Sequence, residues 1–159
     1  NTVSVKGFDL LVGCQGGAGN KISNGAGGFM SSSFAWFDNQ TKDQLNRWQK
    51  PGDVTQVPQL RLGYDNGTSA SSRYIEDGSY VRLKNITLGY NFPASFVKNL
   101  RLHSARLYVT GVNILTFTKY TGWDPEVNTD YRSGNRNQGS DFYSAPQIKN
   151  MSVGLNIGF

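Results

Sequence analysis

The chain has 159 residues, about the length of one ordinary domain, but only 37% of them are hydrophobic, whereas 13% are aromatic and 19 are glycine. This mixture suits strands and loops better than packed helices, so composition argues against a helical bundle. Sixteen Lys and Arg against eleven Asp and Glu give a formal charge of +5, but these cations are scattered and form no stripe, which argues against nucleic acid as a partner.

A first strand is predicted over about residues 3–15, and it is the weakest of four, because Leu11 interrupts its polar face. Cys14 is the only cysteine, which excludes an internal disulfide and a cysteine-based metal cluster. Residues 11–14 imitate a lipobox, but Asp9 breaks a hydrophobic run that is already too short for a signal peptide. We therefore interpret Cys14 as a residue packed on a strand.

A long polar segment, rich in Gly, Ser, Asn and Asp, follows over residues 16–79. It contains a predicted short helix over residues 43–48, with Thr41 as its N-cap. The glycines that precede Lys21 match neither the Walker nor the dinucleotide-binding spacing, so a phosphate site is not predicted.

The second and third strands are predicted over residues 80–92 and 104–115, joined by one short segment that begins at Pro93. Apolar residues of the second strand change parity near Lys84 and Asn85, which indicates a β-bulge or a change of environment. His103, the only histidine, has no nucleophile or metal partner nearby in sequence and is interpreted as a turn residue.

A second long polar segment covers residues 120–145. Asp124, Glu126 and Asp130 lie beside Trp123 and could suggest paired catalytic carboxylates or a calcium site. No EF-hand pattern accompanies them, so we interpret these residues as a structural turn. No enzyme activity, cofactor or metal is predicted.

The last strand, residues 148–159, shows the clearest pattern in the chain. Met151, Val153, Leu155, Ile157 and Phe159 alternate with small or polar residues. A period of two places all five apolar side chains on one face of the strand.

The clear strands are long enough to cross a tilted bilayer, which needs roughly 9–11 residues, whereas soluble strands average about five or six. The rest of the chain offers no second set of apolar strands and no sizeable amphipathic helix to cover the apolar faces. The sequence therefore predicts an all-β fold: an antiparallel transmembrane β-barrel segment with two long extracellular loops and a short periplasmic turn. A soluble carbohydrate-binding β-sandwich, similar to a lectin, is the alternative.

Four strands cannot close a barrel, because every backbone polar group in lipid needs an internal partner and the smallest bacterial barrels use about eight strands. The missing strands are expected from an upstream part of the same polypeptide or from another chain. The lack of a signal peptide fits an upstream remainder.

Two stretches carry a specific resemblance: YVRLKNITLGYNFP over residues 80–93 and LYVTGVNILTFTKYTGWDPEV over residues 107–127. Both resemble the C-terminal part of SusC/RagA-type TonB-dependent outer-membrane transporters, and residues 45–48 and 77–80 also match that family. The whole chain, 1–159, is thereby interpreted as the C-terminal portion of such a barrel, in the bacterial outer membrane.

The resemblance implies a large barrel with a plugged lumen, of the class with about 22 strands. Such a protein imports glycans or peptides, pairs with a SusD-like surface lipoprotein that acts as a lid, and is energised by the TonB complex. The family's plug and TonB-contacting segment lie near the N-terminus and are absent from this chain. The ending GLNIGF is similar to the signal that the barrel-assembly machinery reads, with Gly154, Ile157 and Phe159 as its candidate residues.

Aromatic residues of the two long segments could stack on sugar rings or peptide side chains, or contact the lid lipoprotein. The alternative, which we favour, is that they pack the loops together or form the interfacial girdle of a barrel. The candidates are Trp36, Trp48, Trp123, Tyr131 and Tyr143, with Tyr64 and Phe142 beside them.

Overall fold

The computed structural model describes residues 1–31, 39–64, 71–126 and 138–159. The chain divides into two units. We call Asn1–Ala18, Tyr80–Thr118 and Gln147–Phe159 the sheet unit, and Gly19–Ser79 with Lys119–Pro146 the loop unit. None of the helices in the described ranges is both long enough and apolar enough to cross a membrane.

The described residues form strands, two short α-helices and two 3-10 helices. In chain order these are β1 (Thr2–Val5), β2 (Phe8–Gly17), β3 (Lys21–Asn24), α1 (Gly25–Met30), a 3-10 helix over Lys42–Asn46, another over Ser72–Tyr74, β4 (Ile75–Asp77), β5 (Tyr80–Asn91), α2 (Ala94–Asn99), β6 (Ser104–Thr118), β7 (Ser140–Asp141) and β8 (Asn150–Gly158).

The sheet unit is a five-stranded sheet in the order β1-β2-β5-β6-β8, antiparallel throughout. Gly17 pairs with Tyr80, which pairs in turn with Thr118, so the chain leaves the sheet for both long segments at the same end. The short connection between β5 and β6 lies at the opposite end. This is the lopsided arrangement that the sequence predicts.

The prediction for the first strand is wrong: residues 3–15 were expected to form a single strand, but the structure has a hairpin there. Val5 pairs with Phe8, which leaves Lys6 and Gly7 as a two-residue turn. Both turn residues have positive φ, 48° and 89°, as tight hairpin turns of this length require. The sheet consequently has one strand more than the four predicted.

The β-bulge predicted near Lys84 is confirmed. Cys14 and Gly13 are consecutive in β2, but their partners in β5 are Leu83 and Asn85, so Lys84 is an extra residue. The extra residue keeps the apolar residues before and after it on one face of β5, which is why their parity in the sequence changes.

A further irregularity lies in β6, where Asn113 has a φ of +53° and is 7% exposed. Its side-chain nitrogen donates to the carbonyl oxygen of Ile148 at 3.0 Å. Asparagine tolerates the left-handed backbone region better than most residues, so it suits this irregular position in β6.

Two helical details differ from expectation. The short connection after Pro93 contains α2, which buries Val97 to 3% exposure. The helix predicted over residues 43–48 is a 3-10 helix over Lys42–Asn46, and the Thr41 side chain does not cap it. Thr41 occupies the N-cap position as predicted, but its hydroxyl bonds to the Asp43 carboxylate rather than to a backbone N–H group.

The loop unit contains a three-stranded sheet that the sequence did not predict, in the order β4-β3-β7. β3 is antiparallel to β4 and parallel to β7, where Ser23 pairs with Ser140. Its buried apolar residues are Ile22, Val57 and Tyr120. The two long segments are therefore joined into one folded unit by strand pairing.

Candidate functional site

The sheet unit presents one continuous apolar face. Paired residues of neighbouring strands point to the same side of a sheet, so each row of the register can be followed across it. One row contains only aliphatic side chains that are between 36% and 71% exposed, and it runs through Val3, Leu10, Leu88, Val109 and Val153. A parallel row contains Phe8, Tyr90, Leu107 and Leu155.

The opposite face of the same sheet is polar. Arg106 and Asp9 form an ion pair on it, with Arg106 Nε 3.2 Å from Asp9 Oδ1, and Asn91 donates to the same oxygen at 3.0 Å. The hydroxyls of Thr87 and Thr110 are 3.0 Å apart on neighbouring strands. An apolar face backed by a hydrogen-bonded polar face is the pattern expected of a barrel wall between lipid and an aqueous lumen.

Among the described residues, each outer strand is paired on one side only: β1 pairs with β2, and β8 pairs with β6. Unpaired strand edges are templates for further strands. In β8, Gly154 pairs with Tyr108 of β6, and the side chains of Ile157 and Phe159 are 45% and 95% exposed. Their role as an assembly signal remains a prediction.

The loop unit encloses a cleft of about 680 Å³. Its lining is contributed by α1, the two 3-10 helices, β4 and the residues that follow β6. Two of the aromatic residues singled out in the sequence, Trp123 and Tyr143, are among the residues that line it.

Glu76 holds one wall of this cleft together. Its Oε1 accepts hydrogen bonds from Asn24 Nδ2 and Thr121 Oγ1, both at 2.8 Å, and its Oε2 accepts from the Thr121 backbone N–H at 2.7 Å. Asn24 also caps α1, since its Oδ1 accepts from the Gly27 N–H at 2.8 Å. One carboxylate thus ties together residues from both long segments.

Asp43 also lines the cleft; it accepts a hydrogen bond from the Ser31 hydroxyl at 3.0 Å and pairs with Arg73 at 3.4 Å. Arg73 also lies over the ring of Tyr74, 5.2 Å from its centroid. Both of these charged side chains are partly exposed, so their pairing fixes geometry more than it adds stability.

Beside the cleft, Tyr120 donates a hydrogen bond to Asp141 Oδ2 at 2.6 Å, and both residues are at most 5% exposed. Burial, with the neighbouring carboxylate as a second cause, raises the pKa of Tyr120 far above its usual range. The phenol therefore stays protonated and keeps its role as a donor.

Asp77 has the opposite shift. The Ser79 hydroxyl donates to Asp77 Oδ1 at 2.6 Å and the Ser79 backbone N–H donates to it at 3.0 Å. These bonds to the charged form, the hydroxyl first, lower the pKa of the Asp77 carboxyl below its usual value.

The structure describes three of the five candidate aromatic residues, and only two of these lie on the cleft. Trp123 is 67% exposed and Tyr143 is 44% exposed on the cleft. Trp48 is half-buried outside the cleft lining, and its backbone N–H donates to Val57 at 2.9 Å. Trp36 and Tyr131 lie outside the described residues.

Asp124 and Glu126, two of the acidic residues beside Trp123, are joined in a turn. Asp124 is 3% exposed, and its Oδ1 accepts from the backbone N–H of Glu126 at 2.9 Å. Asp130 lies outside the described residues. Within the described part of the chain, no group of three or more His, Cys, Asp or Glu side chains could hold a metal ion.

Cys14 and His103, two further residues considered in the sequence, are both exposed. Cys14 is exposed on β2, so the expectation that it packs on a strand is right about the strand and wrong about its burial. His103 is exposed next to α2, and its backbone N–H donates to Gly158 at 2.7 Å.

No family model matches the chain. Comparison with known proteins nevertheless finds relatives that are all TonB-dependent receptors. The chain is 40% identical over its full length to TonB-dependent receptor P3 of Formosa agariphila and 33% identical to TonB-dependent receptor P26 of the same organism. It is 31% identical, over 66% of its length, to TonB-dependent receptor SusC of Bacteroides thetaiotaomicron.

Among solved structures, the chain resembles the RagAB peptide transporter with a TM-score of 0.80 and 28% identity, covering 98% of this chain. A structure of the RagAB peptide importer in an open-open state gives a TM-score of 0.78. The chain spans 16% of the length of receptors P3 and P26 and 16% of the solved RagAB chain.

Proposed function

Because this chain belongs to the SusC/RagA-type TonB-dependent receptors, we propose that it forms part of the wall of an outer-membrane β-barrel that imports glycans or peptides. The observation that carries the proposal is the exposed apolar face of the sheet unit, backed by its polar face. β2, β5, β6 and β8 have 10, 12, 15 and 9 residues. These lengths suit tilted strands that cross a bilayer.

In this account the apolar face meets lipid and the polar face meets the lumen. The end of the sheet from which both long segments leave is the extracellular end, and the connection with α2 is periplasmic. The chain is the C-terminal portion of the receptor, and the outer edges of β1 and β8, which pair with no further described strand, are completed by strands outside this sequence.

For the whole receptor we propose three partners: a SusD-like lipoprotein, the TonB complex and the barrel-assembly machinery. A SusD-like lipoprotein covers the extracellular side, as the pairing in the name RagAB suggests for that transporter. The plug and the contact with the TonB complex belong to parts of the receptor outside this chain, and Gly154, Ile157 and Phe159 are read by the barrel-assembly machinery. The relatives are described as receptors and transporters, and no catalytic step is proposed.

The proposal is tested by placing arginine on either face of β8 in the full-length receptor. Val153→Arg puts a charge into lipid, which costs about 2–4 kcal/mol near the bilayer midplane. Ser152→Arg puts the same side chain on the polar face, one residue away. We expect Val153→Arg to lower the amount of folded receptor in isolated outer membranes, while Ser152→Arg stays close to wild type.

Heat-modifiable migration of the barrel on gels measures the folded fraction in each membrane sample. Equal folding and equal outer-membrane abundance of the two variants would count against a lipid-facing position of Val153, and with it against the proposed wall.

A further inference from the structure

The sheet unit, all of whose residues the structure describes, has a strongly unbalanced charge. Asp9 is its only acidic residue, and Arg106 already pairs with it. The basic residues of the same unit are Lys6, Arg82, Lys84, Lys98, Arg101, Arg106 and Lys149. Lys6, Lys98 and Arg101 therefore have no second acidic side chain within the unit to pair with.

These three cations lie together at the end of the sheet that carries α2, and all three are exposed. Lys6 lies in the turn between β1 and β2, and this turn is held to the end of β5, because the Asn91 N–H donates to the carbonyl oxygen of Gly7 at 2.8 Å. Lys98 lies in the last turn of α2, and Arg101 follows the helix. We call Lys6, Lys98 and Arg101 the basic group.

The backbone at two members of the basic group favours other residue types. Lys6 has a φ of +48° in a two-residue hairpin turn, where asparagine and glycine are preferred. Arg101 has a φ of +56° at the position after a helix that glycine usually occupies. The hydrogen bonds of that helix end are complete, since Arg101 N–H donates to Lys98 and Leu102 N–H donates to Val97, both at 3.0 Å. Local backbone geometry thus gives no reason for a long cation at either position, which points to a role for the charge itself.

A chain of aromatic rings connects the apolar face of the sheet to α2. The ring of Tyr90 lies 4.5 Å from that of Phe8 and 5.2 Å from that of Phe92. Phe92 in turn stacks on Phe96 of α2, with 5.2 Å between the ring centroids. Phe8 and Phe96 are 52% and 48% exposed. Exposed rings at the end of an apolar face are typical of the level at which a barrel leaves the bilayer.

This arrangement selects the kind of anion that the basic group would meet. In the proposed wall the apolar face lies against acyl chains, so the rings at its end lie at the level of the lipid headgroups. Clustered Lys and Arg at that level attract anionic headgroups. An acidic protein would also match the charge, but it would not explain why the rings beside the cations are continuous with the lipid-facing side chains.

We propose that the basic group binds the phosphate of anionic phospholipid headgroups in the periplasmic leaflet, with Phe8, Tyr90, Phe92 and Phe96 against the adjoining acyl chains. The inference rests on the proposed function, because that function places α2 on the periplasmic side. It adds a lipid-binding site to the wall.

The test uses the full-length receptor with a bimane fluorophore attached through Ser95→Cys in α2, on a background in which Cys14 is serine. The receptor is reconstituted in vesicles that contain spin-labelled phosphatidylcholine, which quenches a fluorophore beside its acyl chain. Unlabelled phosphatidylglycerol or unlabelled phosphatidylcholine is then added in rising proportion. The difference in relief of quenching measures the preference of this site for the anionic lipid, and we expect a preference of about fivefold.

Three substitutions remove one charge each: Lys6→Asn, Lys98→Gln and Arg101→Gly. Each is expected to lower the preference about twofold, and the triple variant is expected to lose it. Asparagine and glycine suit the backbone at positions 6 and 101, so the thermal unfolding midpoints in detergent are expected not to fall. Lys50→Gln changes an exposed lysine of the loop unit and serves as the matched control, which is expected to keep the preference.

Four results would overturn the inference on the lipid preference itself. These are no preference in the labelled parent protein, a preference that survives in the triple variant, a loss in Lys50→Gln as large as that in Lys98→Gln, and abolition by inorganic phosphate compared with chloride at equal ionic strength. The last result would indicate a site for free phosphate. A fluorophore that spin-labelled lipid does not quench would also overturn the inference, and it would leave an acidic protein as the occupant.

The proposed wall is decided separately by the comparison of Val153→Arg with Ser152→Arg. A receptor that passes that comparison but shows no preference for phosphatidylglycerol loses this lipid site alone.

Discussion

A glycine in β8 leaves room for an aromatic ring of the neighbouring strand. Gly154 pairs with Tyr108, and a Cβ built on Gly154 would collide with the Tyr108 ring. That ring in turn lies beside the Arg106 guanidinium, 5.2 Å from its carbon. Gly154 therefore has a packing role in the folded sheet, whatever its role in assembly.

This packing predicts the effect of filling the space. Gly154→Val is expected to lower the stability of the folded barrel by about 1–3 kcal/mol, because Tyr108 must move away from its position. Ser152→Val, two residues along on the same face, faces Thr110 and serves as the control. Thermal unfolding of both variants in detergent measures the difference, and equal midpoints would contradict the packing role.

The Asp77–Ser79 pair predicts a pH dependence within the loop unit. Hydrogen bonds from Ser79 lower the pKa of Asp77 in the folded state, so their stabilisation is fully present above the ordinary Asp value and is lost as the pH falls through the lowered pKa. Ser79→Ala is expected to be less stable than wild type near pH 6.

That difference should shrink as the pH is lowered below about 4, because Asp77 of the unfolded chain then takes up a proton, and it should vanish once the pH falls below the lowered pKa of folded wild-type Asp77. Hydrogen exchange of the loop unit measured across this pH range tests the effect. Asp77→Asn is the control background, in which Ser79→Ala should introduce no pH dependence. A constant difference at all pH values would rule out this linkage.

At the scale of single elements, local sequence patterns were sufficient to predict some features of the fold. The alternation of β8 and the change of parity at Lys84 are both properties of neighbouring residues, and the structure has a strand and a bulge there. The hairpin at Lys6 and Gly7 also left a sign, since Val3 and Val5 have the opposite parity from Phe8. That sign is ambiguous, because a bulge changes parity in the same way.

The loop unit could not be predicted in this manner. β3, β4 and β7 have two to four residues each, and β3 pairs with residues far away in the sequence. Such short strands carry no period of their own. The residue types at the cleft were recognised in part, but only folding brings Trp123 and Tyr143 to the same cleft and leaves Trp48 outside it.

The polar tie between the two long segments predicts an energetic coupling. Glu76→Gln replaces one accepting oxygen by a donor, which leaves an N–H group of Thr121 or Asn24 without its acceptor. In a double-mutant cycle with Thr121→Val, we expect a coupling energy of about 0.5–3 kcal/mol. Hydrogen exchange of β3 and β7 measures the stability of the unit.

Asp53 supplies the control for this cycle, because it accepts hydrogen bonds from the backbone N–H groups of Gln49 and Lys50 rather than from Glu76 or its partners. Glu76→Gln and Asp53→Asn are expected to add without coupling. An additive result for Glu76 and Thr121 as well would mean that the tie is not energetically significant.

For the molecule as a whole, the decisive property is the apolar face that the described residues leave uncovered. A soluble β-sandwich, the alternative suggested by composition, would bury the corresponding face in a protein core. Here Met151, Val153 and Leu155 are 72%, 71% and 56% exposed. The likeness to TonB-dependent receptors agrees with the membrane interpretation.

The membrane wall and the soluble β-sandwich can be distinguished with the 159-residue chain expressed alone. We expect it to aggregate in aqueous buffer, because a large apolar surface and two strand edges are exposed together. Light scattering and size-exclusion chromatography give the answer. A folded, monomeric product without detergent would favour the soluble β-sandwich.

The most direct test of the central claim is a spin-label scan along Asn150–Gly158 in the full-length receptor, reconstituted in lipid vesicles on a background in which Cys14 is serine. Collisions with oxygen report contact with lipid, and collisions with a water-soluble nickel complex report contact with water. We predict high oxygen and low nickel accessibility at positions 151, 153, 155 and 157, and the reverse preference at positions 150, 152 and 156. Two results would contradict a lipid-facing wall. One is an accessibility profile along the strand without a period of two, and the other is that neither oxygen nor the nickel complex reaches the odd-numbered positions 151–157.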